Sequence, residues 1–171
     1  MPLFKSLTSP VKSFLQLALT FIPLIVLAIG FHSCHNNQVY RETRHISSDG
    51  WKPADSISFT FQVDDTLTPL NFYFNVRNTT RYSYQNLFFF ITTKYPGGAF
   101  SRDTAECILA GIDGRWLGKG KGKVRDSKFL FRKEVRFHKT GEYTLIVNQA
   151  MREELLKGVS DIGLVIEKTE E

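Results

Sequence analysis

Apolar and polar side chains alternate with a period of two along most of the chain after residue 51. Between residues 57 and 63, for example, single polar residues separate the apolar side chains of Phe59, Phe61 and Val63. Because successive side chains of a β-strand point to opposite faces, this pattern predicts strands with one buried and one wet face. Seven segments carry this alternation or a short apolar run: 57–63, 72–76, 87–93, 105–109, 129–137, 143–147 and 162–166.

Turns rich in Gly, Pro, Asn and Asp separate these segments. About seven short strands that are rich in Phe, Tyr, Val, Ile and Thr predict an all-β fold, an antiparallel β-sandwich of the immunoglobulin-like or jelly-roll-like type. One segment departs from the pattern. Between Gln149 and Lys157, two apolar side chains and a Glu153–Lys157 pair at i,i+4 predict one or two helical turns. We therefore expect a single domain over residues 51–171.

The first 33 residues have a composition of their own. They contain no Asp or Glu and only two basic residues, Lys5 and Lys12, before a nearly unbroken apolar run from Phe14 to Phe31. A basic start, an apolar stretch and a small-residue end are the layout of a secretory signal. The run is also just long enough for a transmembrane helix, so a retained N-terminal anchor is the alternative.

The position of the first cysteine favours a lipoprotein. The apolar run ends in the sequence IGFHSC, with the small residue Ser33 directly before Cys34. This resembles a bacterial lipoprotein signal, in which the cysteine thiol takes a diacylglyceryl group and the chain is cleaved before the cysteine. We predict a signal peptide over 1–33, lipidation at Cys34 (palmitate or a similar acyl chain), and a flexible tether over 34–50. Several acyl chains, at about 0.8 kcal/mol per buried CH₂, would hold the mature chain on a membrane.

Charge and cysteine content exclude several classes of protein. The formal charge is +5, and removal of the first 33 residues leaves +3 (20 basic minus 17 acidic residues), so we expect no nucleic-acid partner. Two cysteines cannot build a disulfide scaffold or a zinc cluster. The four histidines show no paired-ligand spacing, so we predict no metal and no cofactor. Cys107 lies on an apolar face, where a buried and unreactive thiol is expected.

Glycine and lysine alternate from Gly118 to Lys123. The phosphate-binding P-loop has a different pattern, because its lysine is followed by Ser or Thr at the start of a helix. We predict a basic hairpin whose side chains bind a partner or an anionic surface. The candidates are Trp116, Lys119, Lys121 and Lys123. For Trp116, folding back over the end of the sandwich is an equally good interpretation.

A second polar group lies where two predicted strands end. Capping of the strand ends is one interpretation, and a partner surface is the other. The group consists of Arg77, Asn78, Tyr84 and Asn86.

Catalysis finds little support in the sequence. Asp103, Glu106 and Asp113 are the candidates for a glycosidase pair, which needs two carboxyl groups at a fixed separation across a cleft. They lie at predicted strand edges and turns, and no motif presents an activated nucleophile. We predict no catalytic residues and no enzymatic activity.

Short motifs follow one another in a fixed order between residues 51 and 168. They are Trp51, Arg77-Asn78, YSYQNL (82–87), Asp103-Thr104, DGRWLGKG (113–120), GEYT (141–144), QAMR (149–152) and GVSDIGL (158–164). This ordered set resembles the GldH family, the gliding-motility lipoproteins of Bacteroidetes. The family's lipoprotein cysteine corresponds to Cys34.

The resemblance implies a non-enzymatic lipoprotein of the cell envelope that is required for gliding. It implies partners among other envelope lipoproteins of gliding motility and in the type IX secretion and motility machinery. No acidic run follows Cys34, which by the same resemblance favours the periplasmic face. The alternative is a periplasmic glycan- or peptidoglycan-binding module, since β-sandwiches often bind sugars through an exposed aromatic side chain.

Bacteria of this kind also O-glycosylate exported proteins at Asp-Ser/Thr followed by an apolar residue or Thr. Three triplets of the chain fit this pattern. They predict sugars on Ser56, Thr66 and Thr104.

Overall fold

The computed structural model describes residues 37–169, so the predicted signal peptide and Cys34 lie outside the described residues. Within that range the regular secondary structure is all β-strand, and no helix there is long and apolar enough to cross a membrane. The strands are β1 (Gln38–His45), β2 (Ile57–Val63), β3 (Leu70–Thr79), β4 (Asn86–Lys94), β5 (Phe100–Ile108), β6 (Val124–Val135), β7 (Gly141–Gln149) and β8 (Val159–Lys168). The all-β prediction is confirmed, with eight strands in place of about seven.

The eight strands pair like a long antiparallel ribbon that has been rolled up. The pairs β1 with β8, β2 with β7, β3 with β6 and β4 with β5 are all antiparallel. Two more antiparallel pairs complete a first sheet, with the order β1-β8-β3-β6, and a second sheet, with the order β2-β7-β4-β5. Of the two sandwich types predicted, this order is that of the jelly roll.

The alternating apolar side chains meet between the two sheets, as predicted. Phe74 on β3 lies edge-on to Phe89 on β4, with the ring centroids 5.5 Å apart. Phe61 on β2 lies 5.8 Å from Phe72 on β3, and all four rings are at most 5% exposed. Full burial of one such side chain contributes roughly 1.5–3 kcal/mol. This aromatic layer therefore supplies a large part of the free energy that holds the sheets together.

Strand β1 lies inside the segment 34–50 that is predicted to be a flexible tether, so that prediction is wrong for residues 38–45. β1 pairs with β8 from Gln38, opposite Glu167, to His45, opposite Asp161. Its sequence lacks an apolar alternation because β1 is an edge strand with mostly exposed side chains. Charged side chains on an edge strand discourage pairing with other chains. Backbone pairing with β8 stabilises the strand instead.

Residues 149–157 form no helix, contrary to the prediction from their sequence. The buried side chain of Gln149 bonds the loop that follows it. Its amide NH donates to the carbonyl of Glu153 at 2.8 Å, and its carbonyl accepts from the backbone NH of Met151 at 2.8 Å. Leu156 forms two backbone hydrogen bonds with Trp51, of 2.8 and 3.0 Å. Because these backbone groups are already bonded and the segment is short, a helix gains nothing here.

Cys107 on β5 is a free thiol that is 1% exposed, which confirms its predicted place in the core. Burial, and to a smaller extent the charge of Glu106, raise the pKa of this thiol to about 12. The thiolate is the reactive form of cysteine, so Cys107 is protonated and unreactive at neutral pH.

Antiparallel pairing sorts the loops into two ends of the sandwich. The near end holds residue 37, where the described chain begins, and the loops 64–69, 95–99 and 136–140. The far end holds the loops 46–56, 80–85, 109–123 and 150–158. Nine residues of β4 connect the ends, which at about 3.3 Å per residue places them about 30 Å apart.

Trp51 closes the core at the far end, and its truncation should be costly. The side chain is 1% exposed, its ring lies 5.9 Å from that of Phe89, and its indole NH donates to the carbonyl of Asp55 at 2.7 Å. We expect Trp51→Ala to lower the free energy of unfolding by about 3–5 kcal/mol in urea titrations. Ile112→Ala, at a fully exposed site of the same end, should change it by less than about 0.5 kcal/mol. Equal effects would contradict this account of the far end.

Candidate partner-binding surface

The segment of alternating glycine and lysine is a hairpin, as predicted. Lys119 and Asp126 exchange two backbone hydrogen bonds, of 2.8 and 2.7 Å, and so place the turn of the hairpin between them. Asp126 belongs to β6, so the segment adds backbone pairing to the outer edge of the first sheet. The residues around the segment form strands and turns, which leaves no helix start to hold a phosphate.

The glycines of this hairpin have a structural purpose. A Cβ atom at Gly120 would lie 2.4 Å from the backbone oxygen of Val124, and one at Gly118 would lie 2.5 Å from the hydroxyl of Ser127. The two arms of the hairpin therefore approach more closely than any side chain allows. The lysines alternate with these glycines and point outward.

Three lysines project from the hairpin: Lys119, Lys121 and Lys123. All three are exposed, and none of them forms an ion pair within residues 37–169. Unpaired lysines on a closely packed turn present positive charge that a partner can neutralise.

A groove of about 860 Å³ lies beside the hairpin, along the outer face of the first sheet. Arg77 stands in it and binds Asp126 at 2.7 Å and Asp161 at 3.8 Å. The hydrogen bond and the charge of Asp126 raise the pKa of Arg77. Arg77 thus belongs to the same surface as Lys119, and its guanidinium is already satisfied by these two carboxylates.

Two apolar side chains on the same loop were not recognised in the sequence. Ile112 is fully exposed, and Leu117 is 61% exposed directly before the hairpin. The sequence did contain a signal for an exposed apolar site, because these isolated apolar residues lie beside the Asp113-Gly114 turn and outside any strand pattern. Protein–protein interfaces combine an apolar core with a polar rim, so exposed apolar side chains on the same loop as charged ones suit such an interface. We define the far-end surface as Arg77, Ile112, Leu117, Lys119, Lys121 and Lys123.

Two predicted binding residues are not available to a partner in this structure. Asn78 is 0% exposed, and its amide NH donates to the carbonyl of Thr79 at 3.0 Å. It follows Val76 on the inward face of β3, which makes it part of the core instead of the surface. Trp116 is half-buried and packs on the core, as its alternative interpretation held.

Tyr84 and Asn86 lie at the far end but are occupied by local contacts. The hydroxyl of Tyr84 donates to Glu153, and the side-chain NH of Asn86 donates to Glu106 at 2.6 Å. These bonds tie the loop 80–85 and the start of β4 to neighbouring segments. Their positions agree with the capping interpretation.

The carboxylates that were candidates for catalysis do not converge. Asp103 and Glu106 lie three positions apart on β5, an odd spacing, so they point to opposite faces of the second sheet. Asp103 binds Arg132 at 2.5 Å, and Asp113 accepts the backbone NH of Arg115 at 3.0 Å within its own turn. Among residues 37–169 no group of three or more His, Cys, Asp or Glu could hold a metal.

The predicted glycosylation sites lie at three different places on the domain. Ser56 and Thr104 are exposed, and Thr66 is half-buried in the loop 64–69. Thr104 points outward from β5 and is accessible. Glycosylation at these sites stays a prediction, which an intact-mass measurement of the mature chain would check.

The fold and this surface describe a jelly-roll domain that presents a basic loop with exposed apolar side chains. Comparison with known proteins identifies its family: residues 38–166 match the model of the GldH lipoprotein family, and the match begins where β1 begins. The chain therefore belongs to the GldH lipoprotein family, the gliding-motility lipoproteins. A lipoprotein is anchored to a membrane by its lipid, so the chain is a lipid-anchored protein of the cell envelope.

Two relatives are similar over nearly their whole length. The gliding motility lipoprotein GldH homolog of Christiangramia forsetii is 33% identical over 88% of this chain and 94% of the relative. Gliding motility lipoprotein GldH of Flavobacterium johnsoniae is 30% identical over 85% of this chain and 94% of the relative. Among solved structures, the VP2 subviral particle of infectious bursal disease virus matches 76% of this chain with 15% identity and a TM-score of 0.30. The chain spans 30% of that structure's length.

The hairpin geometry predicts different tolerance at two of its glycines. Gly120 has a φ of +146° and a crowded Cβ position, whereas Gly122 has a φ of +65° and nothing within 4 Å of its Cβ position. Gly122→Ala should cost about 1–2 kcal/mol of stability, from backbone strain alone. Gly120→Ala adds a backbone clash and should cost clearly more in urea unfolding. If the two variants were equally stable, the close approach of the hairpin arms would be wrong.

Proposed function

We propose that this chain is a non-enzymatic component of the gliding machinery, held to the membrane through a lipid on Cys34, which binds an envelope partner through its far-end surface. Membership in the family of gliding-motility lipoproteins carries the proposal. The position of the unpaired lysines, at the end opposite to the start of the described chain, supports it.

The choice of Cys34 rests on elimination. The chain has two cysteines, and Cys107 is 1% exposed within the core. A lipid attached to Cys107 would have to enter the packed core between the sheets. Cys34 is the remaining thiol, and it follows the apolar run of the predicted signal peptide, 1–33.

The chemistry of the far-end surface indicates the kind of partner. Ile112 and Leu117 offer apolar contacts, and the three hairpin lysines, which follow them on the same loop, add positive charge. A partner with an apolar patch and an acidic rim would complement both features. The lipid confines the domain to the membrane, which raises the effective concentration of this surface toward any partner there.

We propose that the partner belongs to the envelope lipoproteins of gliding motility or to the type IX secretion and motility machinery, on the periplasmic face. The names of the two relatives support the link to motility. The absence of an acidic run after Cys34 supports the periplasmic face.

The two rival functions have less support. A glycan- or peptidoglycan-binding module depended on an exposed Trp116, and that ring packs half-buried on the core. An enzyme depended on paired carboxylates, and Asp103 and Glu106 point to opposite faces of the second sheet. Scaffolding fits both observations.

Substitution of Cys34 tests the anchor. We expect Cys34→Ser to release the protein from membranes, because the acyl chains that hold it have no other attachment point. The measurement is fractionation of cells after a high-salt wash, with Cys107→Ser as the matched control that should remain in the membrane fraction. A Cys34→Ser protein that still fractionates with membranes would rule out the lipid anchor.

Neutralisation of the hairpin tests the far-end surface. Lys119, Lys121 and Lys123 are changed together to Ala, which should abolish or strongly reduce colony spreading on agar while the protein stays in the membrane. The control removes the same charge from other loops of the same end, through Ala at Lys52, Arg152 and Lys157, all exposed. The control strain should spread normally. Normal spreading of the hairpin variant would contradict the assigned surface.

A further inference from the structure

A second concave site lies at the near end, away from the far-end surface. It is a cleft of about 600 Å³ between the two sheets, where β4 and β5 face β3 and β6. Half-buried rings of Phe131 and Phe137 line it, with Tyr95, which is 38% exposed. A predominantly apolar cleft of this volume has the size of a typical small-ligand site. We name it the near cleft.

Cations outnumber carboxylates in the two segments that contribute most to the near cleft. Residues 94–103 and 132–139 contain six cations and two carboxylates, a net charge of +4. Both carboxylates are already paired within these segments, because Arg132 binds Asp103 at 2.5 Å on the rim and Lys133 binds Glu134 at 3.0 Å. Arg136 and Lys139 also line the cleft, are exposed, and form no ion pair within residues 37–169. The site therefore combines an apolar interior with unpaired cations at its mouth.

The start of the described residues lies at the same end. The backbone carbonyl of Asn37 accepts the NH of Lys168 at 2.7 Å, which fixes residue 37 to the end of β8. Cys34 precedes Asn37 by three residues, and three residues span at most about 11 Å, since one residue spans at most about 3.6 Å. A lipid on Cys34 would thus hold the near end, and not the far end about 30 Å away, close to the membrane surface.

We propose that the near cleft is a membrane-contact site for anionic phospholipid, in which Arg136 and Lys139 bind the headgroup phosphate and the aromatic rings accept part of an acyl chain. This inference rests on the lipid anchor at Cys34. Cations next to an anionic leaflet are attracted to it, and an apolar cleft beside them can take the chain of the same molecule. Phe100, which is 62% exposed at the start of β5, adds an apolar contact outside the cleft.

An anionic lipid suits the site better than a peptide does. The anchor keeps phospholipids permanently within reach of this end, whereas a peptide partner would have to enter the narrow space between the domain and the membrane. A lipid site at the near end would also keep lipid binding and protein binding at opposite ends of the domain. The near end would contact lipid, and the far-end surface would stay free for a protein.

The test uses the full lipidated chain in vesicles and measures the depth of a fluorophore. The label is attached at Ala99→Cys, on the rim of the near cleft, or at Ile112→Cys, at the far end. Cys107 is buried and stays unlabelled. The vesicles contain phosphatidylcholine with phosphatidylglycerol whose acyl chains are brominated. We expect strong quenching of the label at residue 99 and none at residue 112.

Charge variants complete the experiment. Arg136→Glu with Lys139→Glu should remove the quenching at residue 99, whereas Lys121→Glu with Lys123→Glu, an equal charge change at the far end, should leave it intact. Equal quenching at both positions, or quenching that is unchanged by the Arg136 and Lys139 variant, would overturn the lipid site. Flotation with the vesicles is measured in parallel. A chain that does not float refutes the anchor itself, and a chain that floats without quenching at residue 99 refutes the near cleft alone.

Discussion

The antiparallel pairing of β1 with β8 determines where every other part of the molecule lies. It joins the start of the described chain to its end, from Gln38 opposite Glu167 onward, and the remaining strands pair inside it in order. With both ends of the ribbon at one side, the near end is the one where the described chain begins and ends. The loops that connect β3 to β4 and β5 to β6 must then lie at the other end, where the hairpin lysines project.

Strands with a buried face were predictable from the sequence because their side chains record that burial. Phe72, Phe74 and Val76 on β3 alternate with polar residues and are all buried. Strand β1 was not predictable in this way. Backbone pairing with β8 stabilises it, and its mostly exposed side chains show no alternation of apolar and polar residues. The helix predicted at 149–157 failed for a related reason, since the side chain of Gln149 bonds groups that a local pattern cannot reveal.

The candidate sites, too, were predictable only where a local sequence pattern marks them. The basic hairpin was predictable because alternating glycine and lysine is a local pattern, and the glycines prove to be needed for the approach of Gly120 to Val124. The prediction that Asn78 binds a partner is not supported, because Asn78 is a polar side chain on the inward face of β3. In the sequence, such a residue has the same appearance as a polar residue at the end of a strand. The near cleft was not foreseen, since its walls come from several strands that only the fold brings together. In our proposal, one end of the sandwich is anchored and the other binds a partner. This arrangement accounts for both the near cleft and the basic hairpin.

Photo-crosslinking in living cells tests the two-ended organisation most directly. A photoreactive amino acid is placed at Leu117, on the far-end surface, or at Gln62, an exposed position of β2 beside the near end. The account predicts that Leu117 forms a discrete adduct with another protein of the envelope, identifiable by mass spectrometry, and that Gln62 does not form this adduct. An identical adduct from both positions, or a protein adduct from Gln62 alone, would contradict it.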